Sequence, residues 1–177
     1  MSGSPPLDPD RRGAPAAPFG RGGARLYEGI GYLAGAVLAA MTVAVFVQVV
    51  LRYIGHAGVD GLDEAPRYLF VWLVMLGAAA AMYRGEHTAL EYFRDRWSPR
   101  ARALIRVVTE GAGIALFLTL IWTSLVLVPN AQLQTSAGLG LPLGYVFAAV
   151  PVGAVLIILP MAWNLARAIR ALWPRRS

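Results

Sequence analysis

Two stretches of this chain carry no charged side chain: residues 29–51 and the much longer run 111–166. A water-soluble fold seldom leaves so much of itself uncharged, whereas a helix needs about 20 apolar residues to cross ~30 Å of hydrocarbon. Only 15% of the 177 residues are charged and 57% are apolar, against roughly 25% charged in an ordinary soluble domain. The chain therefore reads as an all-α integral membrane protein.

Four transmembrane helices account for the apolar runs. The first covers residues 29–51, whose 23 uncharged residues reach roughly 34 Å, enough to span with a modest tilt. Arg52 ends it, and Gly55, Gly58 and Gly61 mark a turn-rich loop. The second covers residues 66–83. Pro66 suits a first helical turn, where its missing amide costs nothing, and Asp63 and Glu64 complement the positive end of the helix dipole. Its uncharged part, 68–83, is short for a span, so Arg67 must snorkel to the interface. Residues 84–106 turn basic, with Leu90, Tyr92, Phe93 and Trp97 interspersed. That mixture predicts a short interfacial amphipathic segment between helices two and three.

Ser98 and Pro99 form an N-cap and first-turn pair for the third helix. It is expected to run to about Val128 and to be broken by Pro129 and Asn130, with Arg106 and Glu110 four residues apart on one face near its polar end. A neutral loop, 129–142, leads to the fourth helix, 143–165. Pro151 and Pro160 interrupt that helix, which a membrane tolerates where neighbouring side chains re-satisfy the freed carbonyls.

Fourteen of the 16 basic residues, all arginine, fall in the N-terminal tail, the loop between helices two and three, and the C-terminal tail; only Arg52 and Arg67 lie on the other side. The positive-inside rule then predicts both termini in the cytoplasm. The expected organisation is a disordered cytoplasmic tail over 1–28, a four-helix membrane domain over 29–165, and a basic cytoplasmic tail over 166–177. The localisation implied is a bacterial inner membrane, multi-pass, with the lipid bilayer as solvent.

Catalytic, cofactor and metal sites are not expected. Cysteine is absent, which removes thiolate chemistry and Cys-based metal sites. The only histidines, His56 and His87, fall in loops on opposite faces by this topology and cannot share a haem or metal ion. No Gly-rich phosphate loop, no Ser-His-acid set and no paired carboxylates within a span can be assembled. Nor do the arginines suit nucleic acid, because they sit at the ends of apolar runs rather than among aromatic platforms.

Small residues recur every four positions at Gly31, Gly35 and Ala39, at Gly77 and Ala81, and at Ala149 and Gly153, a spacing that lets helix backbones approach closely in lipid. At the outer boundary Arg52, Glu64 and Arg67 gather. Two arrangements are open there: a compensating Arg52–Glu64 pair, or three independent charges facing water.

The order Gln48-Val49-Val50-Leu51-Arg52-Tyr53, then Asp63-Glu64-Ala65-Pro66-Arg67-Tyr68-Leu69-Phe70-Val71-Trp72-Leu73, then Gly77-Ala78-Ala79 and Gly85-Glu86-His87 resembles the small membrane subunit of tripartite ATP-independent periplasmic (TRAP) transporters. Gln134-Thr135-Ser136 before Leu141-Pro142-Leu143, and Pro151 in the last span, fit that family as well. The chain departs from it in lacking a Trp shortly before Glu64 and in having Leu90-Glu91 where a hydrophobic-Asp pair is common. The resemblance implies a scaffold subunit of a sodium-coupled, binding-protein-dependent importer of an organic acid. Its partners would be a large membrane subunit, which holds the substrate and sodium sites, and a periplasmic solute-binding protein. It would be no enzyme, and its structural or partner-interface candidates are Arg52, Tyr53, Glu64, Arg67, Trp72, Gly77, His87, Gln134 and Pro151. Alternatives are the small subunit of a tripartite tricarboxylate transporter, an autonomous small homodimeric transporter, and a membrane-anchored enzyme or redox subunit.

Overall fold

The structure, a computed structural model, describes residues 19–54, 61–84 and 99–172. The expected amphipathic segment, Ser98, His56 and His87 lie outside the described residues. Among the described residues five helices follow one another: α1 (Gly20–Tyr53), α2 (Ala65–Arg84), α3 (Pro99–Ala131), α4 (Gly144–Phe147) and α5 (Ala149–Leu172). Among the described residues the one β feature is an isolated bridge between Thr135 and Pro142. Four segments of the described residues are long and apolar enough to cross a membrane: Gly20–Tyr53, Ala65–Arg84, Ala103–Ala131 and Gly144–Arg170. The fold is an all-α membrane bundle, as expected.

α1 packs on α2, α2 on α5, and α5 on α3, so α2 and α5 form the centre and α1 and α3 the flanks. The reason lies in the side chains. Ala79, Ala149 and Ala154 are fully buried, and Met75 occupies the place where a Cβ on Gly153 would stand, 2.5 Å away. Small side chains allow α2 and α5 this approach, and in lipid close packing takes over the role that water exclusion has elsewhere. The Ala149–Gly153 pair is thus an internal seam.

The Gly31–Gly35–Ala39 stripe is not. The face of α1 turned to its neighbour instead carries Tyr27, Ile30 and Ala34, which are buried, and Val37, Met41, Ala44, Gln48 and Leu51, which are half-buried. Their alternating spacing of three and four is the heptad geometry of helices crossing at about 20°. Gly35 and Ala39 are exposed, while Gly31 lies against the Arg84 guanidinium, 3.2 Å from the ideal Cβ position.

Three helix boundaries differ from expectation. α1 begins at Gly20 rather than 29, so residues 20–28 of the expected tail are helical; Gly23 and Tyr27 are buried there, and this packing outweighs the poor helix propensity of the glycines. α3 continues through Pro129 to Ala131. A proline so near a C-terminus removes one late hydrogen bond, and Asn130 Nδ2 donates to the Val126 carbonyl at 2.9 Å in the same turn. The fourth span is divided into α4 and α5 at Ala148, and α5 runs on to Leu172. Pro151 has no amide for the carbonyl of Phe147, the last residue of α4, which accounts for the break.

Candidate functional site: a carboxylate clasp at one end of the bundle

Residues 132–143, between α3 and α4, form a compact loop rather than an open one. The Ser136 amide donates to the Leu141 carbonyl at 2.9 Å, the Leu143 amide to the Gln134 carbonyl at 2.9 Å, and the Gly140 amide to the Ser136 carbonyl at 3.1 Å. Gly140 takes φ 65°, a left-handed value that glycine adopts without a Cβ penalty. The Ser136 side chain points inward, 6% exposed, and its Oγ accepts the Leu139 amide at 3.2 Å.

Glu64 stands at the start of α2, where a negative charge faces the unpaired amides of the first turn. Its carboxylate grips the loop. Oε1 accepts the Gly138 amide at 3.3 Å and Oε2 accepts the Tyr68 hydroxyl, one helical turn on, at 3.2 Å. The Ser136 hydroxyl and the Leu139 amide also act on the same carboxylate. These donors, the Ser136 hydroxyl foremost, hold the Glu64 carboxyl below its ordinary value, although partial burial works the other way.

Gly61 completes the clasp from the backbone side. Its φ is 94°, and its carbonyl accepts the amides of Glu64 and Ala65, each at 3.2 Å, closing the entry into α2. The Gly138 backbone passes so close that a Cβ on Gly61 would stand 2.7 Å from the Gly138 carbonyl carbon and 2.8 Å from its oxygen. Only glycine meets both demands, the left-handed backbone and the close approach.

The structure thus brings together Glu64 and the Gln134-Thr135-Ser136 neighbourhood, which sequence had placed in one family pattern without any contact between them. Arg52 and Glu64 are not brought together: Arg52 is exposed at the end of α1, and no ion pair joins it to Glu64 among the described residues. The nearer loop donors occupy the carboxylate instead. Tyr53, Arg67 and Gln134 are exposed and Pro151 is half-buried, whereas Trp72 packs against the core and Gly77 is half-buried with open space around its Cβ position. One residue and the burial of another escaped the sequence reading. Tyr27, 2% exposed, donates its hydroxyl to the Leu156 carbonyl at 2.7 Å and stacks on Tyr83 with ring centroids 4.3 Å apart. Glu110, placed by sequence at the polar end of helix three, is 5% exposed. Its apolar neighbours Val107, Val108 and Ile114 were the available signal.

Chemically the clasp holds protein to protein. It ties one inter-helix loop to the start of α2, and among the described residues there is no cluster of three His, Asp or Glu suited to a metal ion. Four spans packed through small residues, with a tied loop at one end, define a multi-pass helical membrane protein built for packing.

Residues 41–171 match the family described as Tripartite ATP-independent periplasmic transporters, DctQ component, and the chain belongs to that family: it is a TRAP transporter small permease subunit. Over 74 residues it is 35% identical to a Haemophilus influenzae protein named "Putative TRAP transporter small permease protein", a match covering 42% of this chain and 46% of that protein. Over 148 residues it is 27% identical to the isethionate TRAP transporter permease protein DctMQ of Oleidesulfovibrio alaskensis, covering 78% of this chain and 23% of that protein. The matches therefore span about half the length of the first relative and about a quarter of the second.

Proposed function

We propose that this subunit braces the large membrane subunit of a sodium-coupled TRAP importer of an organic acid and itself binds neither the acid nor sodium. The observation that carries this reading is the contrast between the centre of the bundle and its flanks. The centre is close-packed Ala, Leu, Met and Ile. The flanks present large apolar side chains outward: Tyr32, Val43 and Phe46 on α1, and Trp122, Leu125 and Val126 on α3. A site for an anion and cations inside a bilayer needs polar groups that are costly to bury. Among the described residues the buried polar side chains are three, Glu110 and Ser124 on α3 and Ser136 in the clasp, too few and too scattered for such a site, and the apolar flanks suit lipid and partner helices.

One relative supports the large membrane partner. The DctMQ relative is over four times the length of its match to this chain, room for a large permease portion in the same polypeptide, and its name carries an organic anion, isethionate. The large permease is the membrane partner in this reading, with a periplasmic solute-binding protein delivering the substrate. The exposed Gly35–Ala39 face and Gly77 are where partner helices would approach. Arg52, Tyr53, Arg67 and Gln134, exposed at the clasp end, would meet the outer boundary and the binding protein. The arginine distribution supports both termini lying on the cytoplasmic side of a bacterial inner membrane.

Copurification tests the reading. Coexpressed with the large permease from the same genome, the chain is expected to purify as a complex, and Gly77→Leu is expected to lose it while the isolated variant still folds. A Gly77→Leu chain that copurifies undiminished would remove Gly77 from the interface.

A further inference from the structure

Pro160 lies inside α5 and is fully buried. Lacking an N–H, it cannot serve the carbonyl four residues before it, that of Leu156, and its ring crowds the same carbonyl. In a spanning helix no water replaces the lost donor, so the acceptor must be met by another helix. Tyr27 of α1 meets it: its hydroxyl donates to the Leu156 carbonyl at 2.7 Å, within the usual O–H···O range. The ring is held in place by its near-parallel stack on Tyr83, 5° between planes.

The same stretch of chain also touches α5 beyond the proline. Phe19 and Trp163 meet with ring centroids 5.5 Å apart, inclined at 47°. Phe19 holds this place with φ 64°, a conformation that costs a bulky L-residue energy and persists where surrounding contacts fix it. Residues 19 and 27 therefore grip α5 on either side of Pro160. Helix α1 has 34 residues, well beyond the ~20 that cross a bilayer, and the grip lies in its extra N-terminal turns.

We propose that residues 19–27 are a splint across a proline hinge in the fourth span. Tyr27 supplies the hydrogen bond that Pro160 denies to α5, and Phe19 pins the segment past the hinge. The direction of the end of α5, which carries Arg167 and Arg170, is thereby coupled to docking of the start of α1. This coupling does not rest on the bracing role.

The absence of native cysteine makes the test direct. Val152→Cys and Ile169→Cys, both at exposed positions flanking Pro160, place two spin labels about 25 Å apart along the helix. Their distance distribution is measured in the full chain in lipid nanodiscs, together with amide exchange over residues 157–164. Tyr27→Phe keeps the ring and removes only the donor. It is expected to broaden the distribution and to speed exchange roughly tenfold, the effect of one net hydrogen bond. In a Pro160→Ala background the helix regains its own amide donor, and Tyr27→Phe is expected to change neither readout. A silent Tyr27→Phe in the native background, or an equal effect in both backgrounds, would overturn the splint.

Discussion

Gly61→Ala adds one methyl group, and the structure sets its cost from two sources. The native φ of 94° is one that a residue with a Cβ holds at about 1–3 kcal/mol. The new Cβ would also lie 2.7 Å from the Gly138 carbonyl carbon; that neighbour is backbone and cannot rotate away, so a further ~1–3 kcal/mol of overpacking is expected. Together these give a destabilisation of about 2–6 kcal/mol, a large part of a typical folding free energy. Gly35→Ala is the internal control. It is the same chemical change at an exposed helical site with nothing within 4 Å of the new Cβ, where it should stabilise by roughly 0.5–1 kcal/mol. Denaturant titration of both variants in one detergent, followed by tryptophan fluorescence, should move the midpoints in opposite directions. Equal midpoints would show that Gly61 is not pressed against the 132–143 loop.

The clasp is pH-dependent with a definite sign. Because the folded-state pKa of Glu64 is lowered, its contribution is fully present above the ordinary carboxylate range and is lost as pH falls through the lower folded value; a spin label at the exposed Ala137→Cys position should become more mobile on acidification, and should be mobile at every pH in a Glu64→Gln background. Since no ion pair joins Arg52 to Glu64, Arg52→Ala and Glu64→Ala should act additively on thermal stability, and strong coupling in that cycle would restore the pair. For orientation, an impermeant thiol reagent applied to intact spheroplasts should label Leu133→Cys, which is 87% exposed on the clasp loop, and should not label Ser177→Cys; the reverse pattern would invert the topology.

The four spans were legible because their signal is local: apolar length fixes a membrane helix, and Pro66 with Asp63 and Glu64 marked the start of α2 to within a residue. Where a local rule competed with packing, packing won. Residues 20–28 read as part of a disordered tail, yet they are helical, with Tyr27 docked. Pro129 read as a helix stop, yet α3 passes through it. The Gly31–Gly35–Ala39 spacing suggested close helix packing, internal or against a partner; within the chain the packed face of α1 is the heptad row from Tyr27 to Leu51. The clasp itself was half legible. Glu64 and Gln134-Thr135-Ser136 stood out as motif residues, but the Glu64–Gly138 contact spans 74 positions, and no short-range pattern reports such a pairing. Charge complementarity offered Arg52 as one of two open arrangements, because a sequence shows formal charge more readily than backbone amides that only a folded loop can aim.

Liposome uptake tests most directly the claim that this subunit supports transport without carrying a substrate site. The full chain is reconstituted alone, and in parallel with its large permease and solute-binding protein, with an inward sodium gradient and a labelled organic acid recognised by that binding protein. Uptake is expected only in the complete system and should collapse to background when this chain is omitted. Sodium-driven uptake by the chain alone, or undiminished uptake by the other two proteins without it, would contradict the account.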